Sequence, residues 1–206
     1  FAPSNPEAGG VSTIVFAPSN PTIVYAAYAN RECITLQEEC FAGGGIFISQ
    51  DGGENWQQTG DESINSMAVR DLAVHPSDAQ IVYAATGAGL FKTTDGGAHW
   101  ERLTAGLPEG MTVRTVAINP AHPLHILVGV DEMGIYLSTD GGASWQAAIA
   151  GLEPNGLVDD ILFDPTNPRV VYASDYRSGV YRSDDGGNTW HKINTGLTIR
   201  TVMKLA

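Results

Sequence analysis

Short runs of β-branched and aromatic residues recur along the chain, separated by glycine, proline, asparagine and aspartate. Runs of this kind predict short strands joined by tight turns. No stretch has a convincing 3.6-residue apolar period, so we expect little helix. The hydrophobic pattern therefore predicts an all-β fold.

One eight-residue turn segment occurs four times and sets the phase of these predicted strands. Its copies read SQDGGENW, TTDGGAHW, STDGGASW and SDDGGNTW, with aspartates at positions 51, 95, 140 and 185. The period is thus 44 to 45 residues. A fixed period of this size, with strand-like sequence between the copies, predicts a β-propeller or a related repeat array.

Each repeat contains four predicted strands, which we interpret as one antiparallel blade. The predicted blades cover about 11–65, 66–110, 111–155 and 156–197, followed by the first strand of a fifth at 198–206. An insertion at 28–44 lengthens the first repeat. An open propeller leaves unpaired edges and an uncovered apolar face. We therefore expect residues 1–206 to form part of a six- to eight-bladed ring, completed by further sequence or by another chain.

The residue types of the repeated turn indicate structural roles. The aspartate can accept hydrogen bonds from the backbone of its own turn, assisted by the preceding serine or threonine. The glycines allow positive φ, and the tryptophan can pack between the turn and a strand. Catalytic acids or calcium ligands are the alternative, but four near-identical copies argue against it because an active site is single. The predicted structural set is Ser49, Asp51, Gly53, Trp56, Thr93, Asp95, Gly97, Trp100, Ser138, Asp140, Gly142, Trp145, Ser183, Asp185, Gly187 and Trp190.

The turn pattern S/T-x-D-x-G-x-x-W resembles the Asp-box, or BNR, repeat, and all four copies fit it. Proteins with this repeat include sialidases, xyloglucan-active endoglucanases, the sortilin (Vps10) ectodomain and the photosystem II assembly propeller. The resemblance implies a β-propeller in which the box is a structural turn at the periphery, remote from ligand. It implies the fold more strongly than the function.

The connections from second to third strand and from fourth to first strand emerge opposite the Asp boxes, and we expect binding there. Three arginines at equivalent first-strand positions could clamp a carboxylate or phosphate. Alternatively, they pair with Asp71, Asp159 and Asp160 between blades. The candidate binding residues are Arg70, Arg114, Arg200, Tyr28, Asp131, Glu132, Asp175, Tyr176 and Arg177.

A glycoside hydrolase would need two carboxylates about 5–10 Å apart. Acidic residues such as Asp61 and Glu62 lie in the right loops, but an acidic chain places them there by chance. The pair His122 and His125 lacks a third metal ligand. We therefore predict no catalytic residue, cofactor or metal, and a noncatalytic module that binds a protein or glycan. A fragment of a sialidase- or xyloglucanase-like hydrolase and a structural subunit of a larger complex are the alternatives.

Charge and cysteine content restrict the partners and the compartment. Eleven basic and 23 acidic residues give a net charge of −12, which argues against binding nucleic acid or an anionic membrane. No apolar run approaches the roughly 20 residues of a membrane-spanning helix. Cys33 and Cys40 could form a local disulfide or remain separate thiols. We expect the disulfide and an extracytoplasmic location, whether secreted, periplasmic or at the cell surface.

Overall fold

A computed structural model describes residues 10–29, 44–198 and 204. Within these residues, sixteen strands form four four-stranded antiparallel sheets, each with its strands side by side in chain order. This arrangement confirms the predicted all-β class and is that of propeller blades, so we call the sheets blades 1 to 4. No helix in the described ranges is long and apolar enough to cross a membrane.

The strands coincide with the short β-branched and aromatic runs. Blade 1 consists of β1 (Gly10–Ala17), β2 (Asn20–Ala29), β3 (Ile46–Ser49) and β4 (Gln57–Thr59). Blade 2 consists of β5 (Val69–Val74), β6 (Val82–Thr86), β7 (Gly89–Thr93) and β8 (Glu101–Leu103). Blade 3 consists of β9 (Val113–Ile118), β10 (Ile126–Val130), β11 (Gly134–Ser138) and β12 (Gln146–Ala147). Blade 4 consists of β13 (Val158–Phe163), β14 (Val171–Asp175), β15 (Gly179–Ser183) and β16 (His191–Lys192).

A short helix, α1 (Glu62–Asn65), follows blade 1. Asp61 caps its N-terminus, because the Asp61 carboxylate accepts a hydrogen bond from the Ser63 backbone N–H at 2.9 Å. Its Ile64 is fully buried. A helix of four residues is too short to show a helical apolar period, which is why the sequence pattern did not predict it.

Each first strand contains a β-bulge near its start, at the third residue of β1 and at the second residue of β5, β9 and β13. The pairing with the second strand skips this residue, which is Ser12, Arg70, Arg114 or Asp159. A bulge bends the strand and redirects the side chain of the extra residue. The equivalent first-strand positions noted in the sequence therefore share the same irregular backbone, which differs from that of the rest of the strand.

The chain divides into two compact units, each with its own apolar core. The first comprises the described residues up to Gly87 together with Phe91–Glu101, and the second comprises Ala88–Leu90 and the described residues from Arg102 onward. In the first unit the Tyr25 hydroxyl donates to the carbonyl of Ala79 at 2.9 Å, and burial raises the pKa of Tyr25 to about 12. The two cores are formed by the following residues: Tyr25, Ile46, Leu72, Phe91 and Trp100 in the first unit, and Leu127, Ile135, Ile161, Tyr181 and Trp190 in the second.

Several predicted features fall outside the described residues. These are Cys33, Cys40 and Arg200, most of the insertion at 28–44, and the fifth-blade strand at 198–206 apart from Thr198 and Lys204.

Candidate functional site

Each Asp box is a turn closed by hydrogen bonds to both oxygens of its aspartate. In blade 3 the Ser138 hydroxyl donates to Asp140 Oδ1 at 2.8 Å and accepts the Gly142 N–H at 2.8 Å. The backbone N–H and the hydroxyl of Ser144 donate to Asp140 Oδ1 and Oδ2 at 2.9 and 2.6 Å. The Ser144 side chain, its backbone and Ser138 lower the pKa of Asp140 to about 2. Both oxygens of the carboxylate therefore accept hydrogen bonds from residues of the same turn.

The residue before each tryptophan supplies a hydrogen bond that the sequence reasoning missed. Asn55, His99, Ser144 and Thr189 donate side-chain hydrogen bonds to the box aspartate at 2.6 to 2.7 Å. The signal was present in the sequence, because all four of these residues carry a side-chain donor. The bonds with Asp95 raise the pKa of His99.

Arg114, at the bulge of β9, contacts two carboxylates. Its Nη2 lies 2.5 Å from Asp159 Oδ1, and its Nη1 lies 3.1 Å from Asp131 Oδ1. Burial alone would lower the pKa of Arg114, but its hydrogen bonds and charge interactions with Asp159 and Asp131 outweigh burial and raise it. The guanidinium thus lies between Asp131, which follows β10, and Asp159, at the bulge of β13.

The connections of blades 3 and 4 form an exposed cluster, which we call the loop surface and define as Glu132, Met133, Asn155, Tyr176 and Arg177. The Arg177 guanidinium donates to the carbonyl of Asn155 at 2.7 Å and lies 3.7 Å from Glu132 Oε1. Among the described non-glycine residues, positive φ occurs at Glu132 and Asn155, with values of 59° and 57°. Met133 and Tyr176 expose 44 and 45% of their surface. The loop surface therefore combines one basic and one acidic side chain with two accessible apolar side chains, and two of its residues have positive φ.

The other candidate binding residues have different surroundings. Asp175 is buried, and its Oδ1 accepts hydrogen bonds from the backbone of Arg177 and from the backbone and hydroxyl of Ser178. Tyr28 packs its ring 5.9 Å from that of Phe47. Arg70 is exposed at the bulge of β5. Asp175 thus holds the loop that presents Tyr176 and Arg177.

The histidines and the acidic loops do not assemble a metal site in the part of the chain that the structure describes, where no group of three suitable ligands occurs. His125 instead directs Nε2 at the Gly186 carbonyl at 2.7 Å and packs edge-on against Phe163. A cavity of about 370 Å³ lies in the second unit beside Arg102 and Leu107.

Four-stranded blades, each with a turn whose aspartate accepts hydrogen bonds at both carboxylate oxygens, define the class of Asp-box β-propeller proteins. The model of the BNR/Asp-box repeat matches residues 47–58 and 136–147, which confirms the resemblance for two of the boxes directly. No curated protein sequence matches the chain.

Solved structures agree on the fold. An ancestral GH74 enzyme is 27% identical with a TM-score of 0.72, covering 93% of this chain and 25% of the enzyme. The GH74 enzyme of Niastella koreensis is 24% identical with a TM-score of 0.68, covering 88% of this chain and 29% of that one. YCF48 bound to D1 peptide is 19% identical with a TM-score of 0.56, covering 92% of this chain and 55% of YCF48. The chain thus spans 25 to 55% of the length of these proteins, and it shares their propeller fold.

Proposed function

We propose that the chain is a noncatalytic binding module that holds a segment of a partner protein on its loop surface. The observation that carries this proposal is the left-handed backbone of Glu132, a residue type that rarely adopts it, within the loop surface. Non-glycine residues in this conformation cost about 1–3 kcal/mol and cluster at functional sites. The packing that holds them there keeps neighbouring side chains in a fixed arrangement.

The side chains of the loop surface suit a peptide with an apolar residue next to a charged one. Tyr176 and Met133 offer accessible apolar area, and tyrosine, methionine and arginine are enriched at the centre of protein interfaces. Arg177 and Glu132 are 51 and 60% exposed, so a partner carboxylate or amine can replace their contact at little cost. The structure of YCF48 with a peptide supports the idea that a propeller of this fold can hold such a segment.

A displayed library of random peptides, selected on the intact protein, tests the proposal. We expect selected peptides to lose at least about tenfold in affinity, or about 1.4 kcal/mol, for Tyr176→Ala and Arg177→Ala. Leu124→Ala is the matched control, because Leu124 is 61% exposed and lies outside the loop surface. Peptides that bind all variants equally would contradict the proposal, and so would binding of a xyloglucan oligosaccharide in place of any peptide.

A fragment of a glycoside hydrolase is the second candidate, favoured by the 27% identity to a GH74 enzyme. Asp131 and Asp159 are the carboxylates to test, although both contact Arg114. We expect no release of reducing sugar from xyloglucan by this chain. Release that is lost in Asp131→Asn would replace the binding proposal with the hydrolase.

We also propose that further blades complete the ring, supplied by other sequence or by another chain, as in a structural subunit of a larger complex. The exposed first strand of blade 1 supports this, since Val11, Ile14 and Phe16 are more than half exposed. An extracytoplasmic location with a Cys33–Cys40 disulfide completes the proposal. A mass two hydrogens lower before reduction than after it would support the disulfide, and equal masses would contradict it.

A further inference from the structure

Five positions in the chain carry an aspartate or asparagine followed directly by glycine. Four are the Asp-Gly pairs of the Asp boxes, and the fifth is Asn155-Gly156, in the connection from blade 3 to blade 4. In such a pair the glycine nitrogen can attack the side-chain carbonyl carbon of the preceding residue and close a five-membered succinimide ring. Glycine favours this reaction because it has no Cβ to hinder the ring. The surroundings of each pair in the fold decide whether it can react.

The Asp boxes hold both reacting groups. Each box aspartate accepts hydrogen bonds at both oxygens, and those at Asp140 hold its pKa at about 2, so the group stays an ionised carboxylate, which is a poor electrophile. The N–H of the glycine that follows each aspartate donates to a carbonyl of another connection at 2.8 to 3.0 Å. The pairs are Gly52 with Thr22, Gly96 with Gln80, Gly141 with Leu124 and Gly186 with Arg169. Folding therefore protects the four boxes.

Asn155-Gly156 lacks both forms of protection. Asn155 is exposed, and its contact within the described residues is made by its backbone carbonyl, which accepts from Arg177, so the side-chain amide is left to solvent. The Gly156 N–H belongs to the turn at 154–155 and donates to no other connection in the described part of the chain. An uncharged amide is also a better electrophile than a carboxylate. This pair is therefore the reactive one among the five.

The packing of the loop surface requires the glycine of this pair. A Cβ on Gly156 would clash with Asp175 Oδ2. The other oxygen of Asp175 accepts the backbone N–H groups of Arg177 and Ser178 at 2.9 and 2.7 Å. The contact that holds the Arg177 loop thus leaves no room for a side chain that would slow the reaction.

We propose that Asn155-Gly156 is a site of spontaneous modification in the folded protein, which converts Asn155 into aspartate or isoaspartate. The Gly156 nitrogen forms a bond to Asn155 Cγ while the bond from Cγ to Nδ2 breaks. The Gly156 proton and the amide group leave together as ammonia. Water then opens the ring. Attack of water at Cγ gives aspartate, and attack at the main-chain carbonyl carbon gives isoaspartate.

Both products place a new carboxylate beside Arg177. In isoaspartate it is the former main-chain carbonyl of residue 155, the group to which Arg177 Nη1 donates at 2.7 Å. A carboxylate binds a guanidinium more strongly than a carbonyl does, so Arg177 becomes less available to a carboxylate of a partner. The extra backbone carbon of isoaspartate also displaces the Gly156 carbonyl, which accepts the Glu132 N–H at 3.1 Å. The modification thus weakens binding of an acidic peptide. This consequence rests on the proposed function, whereas the modification does not.

Incubation of the intact protein at mildly alkaline pH, folded and in guanidinium chloride, tests the modification. Peptide mass spectrometry measures the conversion of amide to acid at residue 155 and isoaspartate at the boxes. Each position is compared with its own rate in denaturant, so intrinsic differences cancel. We expect folding to slow the boxes at least about tenfold, because several hydrogen bonds must break first, and to slow Asn155 by less than about threefold. Equal protection of Asn155 and the boxes overturns the inference.

Two further measurements separate the modification from its effect on binding. Asn155→Gly permits the left-handed backbone without the amide, and it should remove most isoaspartate from the folded protein. Anion exchange separates the modified wild type by its added charge, and a selected acidic peptide should bind it about threefold more weakly. Equal affinities would overturn the effect on the loop surface. Failure to select any peptide would overturn the proposed function, and the rates at Asn155 and the boxes would still test the modification.

Discussion

The four Asp-box tryptophans occupy one repeat position in different surroundings. The backbone N–H of Trp190 donates to the carbonyl of Ala150, at the end of blade 3, at 2.8 Å, and we call this contact between consecutive blades the joint. Replacing the tryptophans one at a time measures the joint. We predict that Trp190→Ala destabilises the fold far more than Trp56→Ala. Both indoles donate one hydrogen bond to a backbone carbonyl, Trp190 to Ala148 at 3.1 Å and Trp56 to Gly53 at 3.0 Å. The Trp190 bond is buried and the Trp56 bond is exposed, so its loss is the more costly in Trp190→Ala and acts in the predicted direction.

The magnitude follows from the difference in burial. Trp190 is 4% exposed and Trp56 is 38% exposed. For an indole side chain of about 250 Å², this difference is about 85 Å², or about 2 kcal/mol at about 25 cal/mol per Å². The cavity left at Trp190 adds to this value, and a buried tryptophan replaced by alanine typically costs about 3–5 kcal/mol. In a chain of this length, about 2 kcal/mol lowers the melting temperature by roughly 4–8 °C.

Thermal unfolding followed by far-ultraviolet circular dichroism measures both variants without relying on tryptophan fluorescence. We expect Trp190→Ala to melt at least about 4 °C below Trp56→Ala. Equal melting temperatures would refute the reasoning, because the tryptophan would then stabilise only its own turn.

Three further changes test the turns, the glycine beside Trp190 and the buried charges. Hydrogen bonds from Ser144 hold the pKa of Asp140 at about 2, below its usual 3.8. They therefore stabilise the fold at neutral pH, and this stabilisation is lost as the pH falls from 3.8 through about 2. Melting temperatures should therefore drop across this window, and less steeply in Asp140→Asn. We expect Gly151→Ala to lower the free energy of unfolding by more than Gly110→Ala does. Gly110→Ala introduces left-handed strain of about 1–2 kcal/mol, whereas in Gly151→Ala the Trp190 carbonyl also blocks the new methyl group. Denaturant titration compares the two variants. Arg114→Met should lower the free energy of unfolding by up to about 3 kcal/mol, because it leaves the Asp159 carboxylate unpaired at 10% side-chain exposure. Adding Asp159→Asn should recover part of this loss.

The sequence pattern predicted the class of fold because every repeat carries the same local instructions. An aspartate four residues before a hydrogen-bonding side chain, two glycines and a tryptophan specify the turn almost without reference to the rest of the chain. Features that depend on a neighbouring blade were harder to predict. Nothing in the residue types shows that Trp56 is exposed where Trp190 is buried, because the difference lies in what each one packs against.

The sequence predicted which connections carry the candidate residues but not how those residues contact one another. Tyr176, Arg177 and Glu132 were proposed as binding residues because antiparallel blades put their loops opposite the turns. The left-handed backbone of Glu132 has no signal in its residue type, since asparagine, aspartate and glycine are the residues that favour this conformation. The roles of Arg114 and Asp175 depend on distances between side chains from different strands, which a single sequence does not contain.

The joint and the loop surface are connected through blades 3 and 4. Glu132 and Asn155 lie on the connections of blade 3, and Arg177 reaches both of them from blade 4. The relative position of these groups therefore depends on the contact that Trp190 makes with the end of blade 3. A looser joint widens the distribution of distances across the loop surface, and a partner must then restrict that freedom on binding, at a cost in affinity. Trp190→Ala should thus weaken a selected peptide although Trp190 belongs to the opposite end of its blade. Trp56→Ala should leave the affinity unchanged, and equal effects of the two variants, measured by fluorescence anisotropy, would show that the loop surface does not depend on the joint.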